Sequence, residues 1–466
     1  MRIVIFILIM IVMFCPVAVA EQVDILIKNG IVLTMNPSLT EYRSGVVAIR
    51  DKKIVAVGTN ELLDKYTAKK VIDADGGIIM PGLINTHTHV PMVAFRSLGE
   101  NGVKDRLFKY FFPLEAKLVT PDMVYTATIH GVIEMAMGGV TTYCDMYYYE
   151  DQMAKATEAV GIRAVLGETV IGFAAPDAPV VYGGLDYAEQ FIKNYKSGHE
   201  LITPAVAPHS VYTVSPEELK KCKQLAQKYS VPLLLHVDEF KDEAERVQKK
   251  FNANPDKKST VEYLESIGLL YDKLYAAHVI HVDENDIKLL KKYNVTVSVN
   301  TIANTKGATG TPQVLDFIKY GIRTGLGTDG PMSSNTLDIF NAMGYVARVT
   351  KLDNEDNTLL TPKEVVRLAT IGGAGALGMA DKIGSLEAGK YADVIIVETK
   401  SPNMIPNFDS YATLVYAAGP LNTQTVICNG KIVVEDRHLL SYSYIRDVQD
   451  MNVLSQKVWA VALILE

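Results

Sequence analysis

The order of apolar and polar residues divides the chain into two β-rich ends and an alternating middle. Near the start, runs such as Gly45–Ile49 have the composition and spacing of half-buried strands, and Asn29-Gly30 predicts a hairpin turn. The same character returns near the other end, in Ala392–Val397 and Thr425–Val434. We therefore predict that both ends of the chain build one composite β-sandwich domain.

Between these ends, short apolar runs alternate with helical patterns. Eight such runs predict eight parallel strands separated by helices, which is the (β/α)8 TIM barrel of the α/β class. The runs are Leu83–Thr86, Thr141–Asp145, Ala164–Gly167, Pro204–Ala207, Pro232–Leu235, Leu274–Ala277, Val295–Val299 and Arg323–Gly327. The expected organisation is a signal peptide (1–20), an N-terminal β-sandwich segment (21–80), the barrel (81–381), a C-terminal β-sandwich segment (382–440) and a helical tail (441–466).

The first twenty residues have the pattern of a secretory signal peptide. Arg2 precedes the apolar run Ile3–Phe14, and the small residues Ala18 and Ala20 form a cleavage site. We therefore expect cleavage after Ala20 and export to the periplasm or the exterior, with no membrane association afterwards. An uncleaved membrane anchor is the alternative, because the apolar stretch approaches the length that spans a bilayer.

Composition limits the class of function. With 48% hydrophobic and 21% charged residues, the chain is an ordinary globular protein. The net charge of −7 and the absence of a basic cluster argue against nucleic acid as a partner. Beyond the signal segment, Cys144, Cys222 and Cys428 are widely spaced, so neither a disulfide framework nor a thiolate zinc site is expected.

Residues that directly follow the eight runs are the candidates for chemistry, because a TIM barrel carries its active site at the C-terminal strand ends. His87 and His89 are separated by one residue on a strand and point in the same direction. With His236 and Asp329 they give three imidazoles and one carboxylate, which suits one divalent ion, zinc or alternatively iron. Other polar residues at strand ends are Asp145, Glu168, Thr169, His209, His278 and Asn300.

Two further residues have competing interpretations. Glu239 lies three residues beyond His236, far enough to leave the strand and face a substrate, although a solvated acid at a helix start is the alternative. His278 directly follows the sixth run, and its alternative is a core histidine bonded to a carbonyl group. His281 lies farther from the strand end and is assigned to structure.

The chain resembles the amidohydrolase superfamily, in particular its aminohydrolase branch of S-adenosylhomocysteine/methylthioadenosine deaminases, guanine deaminases and chlorotriazine hydrolases. The resemblance covers essentially all of the mature chain. Its motifs are Pro81-Gly82-Leu83-Ile84-Asn85-Thr86-His87-Thr88-His89, Phe112-Pro113-Leu114-Glu115, Pro208-His209-Ser210, His236-Val237-Asp238-Glu239, Ala277-His278, Leu326-Gly327-Thr328-Asp329-Gly330 and Gly384–Asp393.

The resemblance implies a role for each candidate residue. A metal ion activates water for attack, Asp329 accepts the proton of that water, and His278 orients it. Glu239 protonates a ring nitrogen, and ammonia leaves. In members of the family that act on nucleosides, the position of Glu115 binds ribose hydroxyls and that of His209 contacts the substrate. Members also commonly form homo-oligomers.

These observations favour a metal-dependent hydrolytic deaminase of an amino-substituted purine, nucleoside or related nitrogen heterocycle, with a small-molecule substrate. Removal of chloride or an alkylamine from a triazine-like ring is the alternative. A metal-free structural relative is the non-enzyme alternative. The region after the third run, including Gly167–Val170, lacks the arginines with which related deaminases bind a carboxylate, which disfavours a substrate with a carboxylate-bearing tail.

Overall fold

A computed structural model of the protein describes residues 20–100, 102, 105–196 and 198–465. The predicted signal peptide, residues 1–20, lies outside the described residues apart from Ala20. The strands of the described residues are β1 (Glu21–Leu33), β2 (Glu41–Arg50), β3 (Lys53–Thr59), β4 (Tyr66–Asp73), β5 (Ile78–Pro81), β6 (Leu83–Thr88), β7 (Val140–Tyr147), β8 (Arg163–Val170), β9 (Ile202–Pro208), β10 (Leu233–Val237), β11 (Leu274–His278), β12 (Thr296–Val299), β13 (Arg323–Leu326), β14 (Val394–Val397), β15 (Thr423–Cys428), β16 (Lys431–Glu435) and β17 (His438–Leu439).

Strands β6 to β13 form an eight-stranded parallel sheet in sequence order, and each predicted run overlaps one of them. The α-helices of the described residues are α1 (Phe112–Leu118), α2 (Pro121–Met137), α3 (Glu150–Val160), α4 (Gly184–Tyr195), α5 (Pro216–Tyr229), α6 (Glu243–Phe251), α7 (Thr260–Ser266), α8 (Glu284–Lys292), α9 (Thr301–Gly307), α10 (Val314–Lys319), α11 (Ile339–Asp353), α12 (Pro362–Arg367), α13 (Gly373–Ala376), α14 (Ser410–Tyr416) and α15 (Tyr444–Leu465). The predicted (β/α)8 barrel is confirmed.

The ends of the chain share a second sheet of nine strands, in the order β17-β16-β15-β14-β5-β1-β2-β3, with β4 paired to β1. The two ends meet where β5 and β14 pair antiparallel, with Met80 opposite Ile395 and Ile79 opposite Ile396. These side chains are buried. The composite β domain of the fold prediction is therefore confirmed, and its central pairing joins residues more than 300 positions apart in sequence.

The two Asn-Gly pairs of this sheet behave differently. Asn429-Gly430 connects β15 to β16 with φ angles of 51° and 75°, and a Cβ on Gly430 would lie 2.2 Å from the Asp51 carbonyl oxygen. Asn29-Gly30 does not form the predicted hairpin turn. It is an irregularity inside β1, where that strand changes its parallel partner from β4 to β5. The prediction was wrong here because neighbours on both sides of the irregularity keep the chain extended.

A buried ion pair connects the barrel to the second sheet. At the start of β8, the side chain of Arg163 is 6% exposed, and its Nε lies 3.4 Å from Oδ2 of Asp393, which is 2% exposed. The other oxygen of Asp393 accepts the backbone N–H of Asn429 at 2.7 Å. The Arg163 guanidinium also lies 5.0 Å from the ring centre of Tyr391. Both charges are thus compensated where water has little access.

Helix α15 packs against the outside of the barrel. Its buried Asp447 accepts a hydrogen bond from His130 of α2, with 2.9 Å between Oδ2 and Nδ1, while Val458 and Ala462 join the main apolar core. No helix within the described ranges combines the length and the apolar character needed to cross a membrane.

Replacing Arg163 by methionine should lower the free energy of unfolding by about 3 to 5 kcal/mol, because it leaves the buried Asp393 carboxylate without its cation. Urea unfolding measures this loss. The matched control is Lys400→Met, which removes an exposed ion pair with Asp75 and should cost less than about 1 kcal/mol. Equal losses for both variants would contradict the interpretation of the Arg163–Asp393 pair.

Candidate active site

A cavity of about 690 Å3 lies at the C-terminal ends of the barrel strands. Seven of the eight predicted site residues line it: His89, Glu115, His209, His236, Glu239, His278 and Asp329. The eighth, His87, lies directly behind them, with its ring centre 4.9 Å from that of His89. Aromatic residues form much of the remaining wall: Phe108, Phe111, Phe112, Tyr147, Tyr148 and Phe240.

The first two histidines are oriented by the strand and by its neighbour. His87 and His89 flank Thr88 at the end of β6, and both imidazoles are buried. Nδ1 of His89 donates to the carbonyl oxygen of Met146 on β7 at 2.6 Å. This bond fixes the ring and directs Nε2 into the cavity.

His236 is held in the same manner. It lies on β10, and its Nδ1 donates to the backbone carbonyl of His209 at 2.7 Å. Its Nε2 is 3.3 Å from Nε2 of His89. Two bare imidazole nitrogens repel each other at that distance, so the arrangement calls for a cation, either a proton or a metal ion, beside them.

Asp329 provides the negative charge. Its Oδ1 lies 3.3 Å from Nε2 of His89 and 3.7 Å from Nε2 of His87. The residue has a φ of 60°, and its carboxylate accepts the N–H of Gly330 at 2.6 Å. Its own N–H donates to the His87 carbonyl at 3.0 Å. The left-handed backbone thus turns the carboxylate towards the histidines.

These residues fit a divalent metal ion. Potential ligand atoms of His87, His89 and Asp329 lie within 4.8 Å of one another, as do those of His87, His236 and His278. Nε2 of His87 is buried and has no hydrogen-bond partner among the described residues. Converging imidazoles with one carboxylate are typical of zinc and iron sites, and His89 and His236 are each oriented through the other ring nitrogen.

The protonation of the cluster supports the same interpretation. Burial and the neighbouring imidazoles hold the pKa values of His87 and His236 well below the usual range, so both imidazoles are neutral. Burial opposes ionisation of Asp329, but its hydrogen bond to His89 and the nearby imidazoles hold its pKa low. Burial would also lower the pKa of His89, yet Asp329 outweighs it and raises the value to about 9. A bound metal ion would displace that proton.

Glu239 and His278 face each other across the cavity floor, with 3.9 Å between Oε2 and Nε2. Nδ1 of His278 accepts a hydrogen bond from the side-chain amide of Asn304 at 2.9 Å, and the amide of Asn300 lies 3.4 Å away. His278 therefore carries its proton on Nε2, towards the cavity. Burial raises the pKa of Glu239, which favours its protonated form, although His278 opposes the shift.

Glu243 is a functional residue that the sequence did not reveal. It is completely buried, and its two carboxylate oxygens accept the backbone N–H groups of Asp238 and Glu239 at 2.9 and 3.1 Å. These bonds hold the turn on which Glu239 leaves β10. The acids from Asp238 to Glu243 resemble a solvated helix start in the sequence, and no pattern distinguishes the one that points inward.

Glu115 and His209 both line the cavity beside aromatic residues. Glu115 in α1 is 2% exposed, and burial raises its pKa to about 7, against the effect of His89. The ring of His209 is 5.6 Å from that of Phe112, and its Nδ1 is 3.0 Å from Oγ1 of Thr213. Burial, with the charges of nearby histidines, lowers the pKa of His209 to about 3, so the ring is neutral.

Asp145 and Glu168, two further strand-end candidates, make structural contacts. Asp145 accepts the backbone N–H of Val90 at 2.6 Å and fixes the turn after His89. Glu168 is buried and accepts the N–H of Glu150 at 3.3 Å. Position at a strand end therefore brings a residue close to the site without giving it a place in the cavity.

Comparison with known proteins agrees with this geometry. The model of the Amidohydrolase family matches residues 78–433. A 5-methylthioadenosine/S-adenosylhomocysteine deaminase of Syntrophobacter fumaroxidans is 39% identical over 424 residues, covering 91% of this chain and 95% of the relative. A crystal structure of an adenosine deaminase from Xanthomonas campestris with bound zinc has a TM-score of 0.89 and 28% identity, covering 95% of this chain and all of that one.

An atrazine chlorohydrolase from Arthrobacter aurescens, also with zinc, has a TM-score of 0.85 over 92% of this chain and 100% of its own. At 22% identity this similarity concerns the fold alone. The matched family model spans the barrel and the strands that flank it, and the resemblance drawn from the sequence motifs is confirmed. The chain belongs to the Amidohydrolase family.

Proposed function

We propose that this protein is a metal-dependent hydrolase that deaminates an adenosine-type purine nucleoside. The observation that carries the proposal is the juxtaposition of Glu239 and His278 with the histidine and aspartate cluster in one buried cavity. A deaminase relative that is 39% identical over 91% of the chain supports hydrolysis of a carbon–nitrogen bond and a nucleoside substrate.

The two alternatives receive less support. A triazine dechlorinase rests on structural neighbours of 22% identity, which share the barrel and not a demonstrated substrate. A metal-free structural relative would have no need to keep three converging imidazoles beside a carboxylate whose pKa is held low.

We infer that zinc is the bound metal, held by His87, His89, His236 and Asp329, because three nitrogen ligands and one carboxylate match its preferences. When bound, the ion supplies Lewis acidity that makes water a nucleophile at neutral pH. The chain supplies the proton transfers. The ionised Asp329 accepts a proton from the attacking water, and Nε2–H of His278 donates a hydrogen bond that orients it.

Glu239 performs the complementary transfer. Its raised pKa keeps a proton available at the cavity floor, and this proton passes to the ring nitrogen next to the reacting carbon. Water then adds to that carbon, and the amino group leaves as ammonia after receiving the proton that Asp329 took from the water. The remaining hydroxyl proton returns to Glu239 as the C=O bond forms. The overall reaction replaces C–NH2 by C=O and consumes one water.

Glu115 and His209 bind the part of the substrate away from the reacting carbon. When it is ionised, above its pKa of about 7, the carboxylate of Glu115 can accept hydrogen bonds from two ribose hydroxyls. The neutral ring of His209 can donate or accept one more. The neighbouring Phe112 offers an apolar face to the substrate.

We also propose that the mature enzyme is exported through its N-terminal segment and acts as a homo-oligomer on a scavenged nucleoside.

Purified protein should contain about one metal ion per chain, and it should release ammonia from 5′-methylthioadenosine or adenosine faster than it releases chloride from atrazine. Chelation should abolish the release, and added zinc should restore more of it than added iron. Elemental analysis and an ammonia assay provide the measurements. If protein produced with ample zinc and iron carries no bound metal, the proposed enzyme activity is refuted. Faster release of chloride than of ammonia would refute the proposed deamination.

Replacing Glu239 by glutamine should reduce kcat by about 100- to 10,000-fold without loss of metal, because the amide cannot deliver a proton. Glu245→Gln is the matched control, since it makes the same change at an exposed position of α6. Metal content and ammonia release are measured on both variants. Full activity of the Glu239 variant would contradict its role in proton transfer.

Replacing Glu115 by glutamine should stabilise the protein at high pH and weaken nucleoside binding. The folded protein holds the Glu115 proton up to a pKa of about 7, whereas the unfolded chain releases it near the ordinary value of 4.5. Wild-type stability therefore decreases as pH rises between these values, by about 3 kcal/mol. Urea unfolding should give equal stabilities for the two proteins near pH 4.5 and a more stable variant at pH 8. A pH-independent difference would contradict the assignment.

A further inference from the structure

Arg246 is a charged residue of the cavity wall to which the proposed reaction assigns no role. It lies in α6, the helix that follows β10, and its side chain is 35% exposed. The exposed fraction of the side chain increases along this wall, from 1% at His278 to 21% at Glu239 and 35% at Arg246. The guanidinium is therefore near the mouth, and a substrate whose reacting carbon lies on the floor would meet it with its distant end.

Aromatic rings and a carboxylate hold the guanidinium in one place. Its carbon Cζ is 4.7 Å from the ring centre of Phe240 and 5.3 Å from that of Tyr212. Its Nε donates to Oδ1 of Asp242 at 2.9 Å. In the described part of the chain, neither Nη1 nor Nη2 has a hydrogen-bond partner. The planar end of the group thus presents donors that are already oriented and still free.

Two other cations lie close to this wall, and each has one donor group bound by the protein. Nε of Arg106 is buried and has no hydrogen-bond partner among the described residues. Nη2 of Arg106 donates to the carbonyl of Leu98 at 2.8 Å and pairs with Glu100 at 3.2 Å. Lys250, one turn beyond Arg246, donates from Nζ to the carbonyl of Tyr212 at 3.2 Å. The fork of Arg246, with its two oriented nitrogens, matches the two oxygens of a single carboxylate.

We propose that Arg246 is a specificity-determining residue that binds a carboxylate at the far end of the substrate's 5′ substituent. This inference rests on the proposed deamination of nucleosides. The region after β8, the third strand of the barrel, has no arginine. Arg246 instead reaches the cavity from α6, the helix after β10. A carboxylate-bearing tail is therefore compatible with the site, contrary to the expectation from the sequence.

Two ligands of the same size test the proposal: a 5′-thioadenosine whose alkyl tail ends in a carboxylate, and the same compound ending in a carboxamide. Wild-type enzyme should have the lower KM for the carboxylate. Arg246→Gln should raise that KM by about 10- to 100-fold and change the KM of the carboxamide less than about threefold, because a charged hydrogen-bonded pair is lost in one case only. Arg246→Lys should lie between, since it keeps the charge without the fork.

Lys250→Gln is the matched control, because it removes a charge of the same helix whose donor is turned to a backbone carbonyl. It should leave the preference for the carboxylate intact. Calorimetric binding of both ligands gives the same comparison without turnover. Equal effects of Arg246→Gln on the two ligands, or no preference in the wild type, would overturn the inference. If nucleosides are deaminated but the carboxylate is not preferred to the carboxamide, only this inference fails. If the metal-loaded enzyme deaminates no nucleoside, the proposed function fails.

Discussion

Closure of the barrel between its first and last strands is the constraint on which the site depends. β6 and β13 form no regular ladder, and the join is made beyond β13, where the N–H groups of Thr328 and Asp329 donate to the His87 carbonyl at 3.1 and 3.0 Å. The side chain of Asn85 bonds Thr328 twice, at 2.8 and 3.1 Å. The same bonds that close the barrel therefore bring one carboxylate and two imidazoles together.

Burial acts differently on each acid of the cavity, and this difference divides their chemistry. Asp329 is surrounded by imidazoles and remains ionised, and Glu239 is shifted towards its protonated form. Burial raises the pKa of Glu115 to about 7, against the opposing effects of Tyr147 and His89. One acid can thus accept a proton while another donates one. A protein chosen for stability alone would keep none of these groups in an apolar pocket.

The sequence predicts the fold and the cluster well, because both depend on regular patterns. Apolar runs followed by histidine mark the strands and the side from which His87, His89 and His236 project. Contacts that depend on tertiary packing remain hidden: Glu243 looks like its exposed neighbours, and Asn29-Gly30 is a bulge because β4 and β5 both pair with β1. Asp145 also lies at a strand end, but it stabilises the turn after His89 and does not line the cavity.

The segment that leaves β10 explains how one fold accommodates different reactions. Within eleven residues it provides His236 to the metal cluster, Glu239 to the cavity floor and Arg246 to the mouth. Glu243 fixes the turn between strand and helix through two backbone N–H groups, so residues farther along α6 can vary without moving Glu239. A family can therefore change its substrates at such exposed turns and keep the same reacting groups.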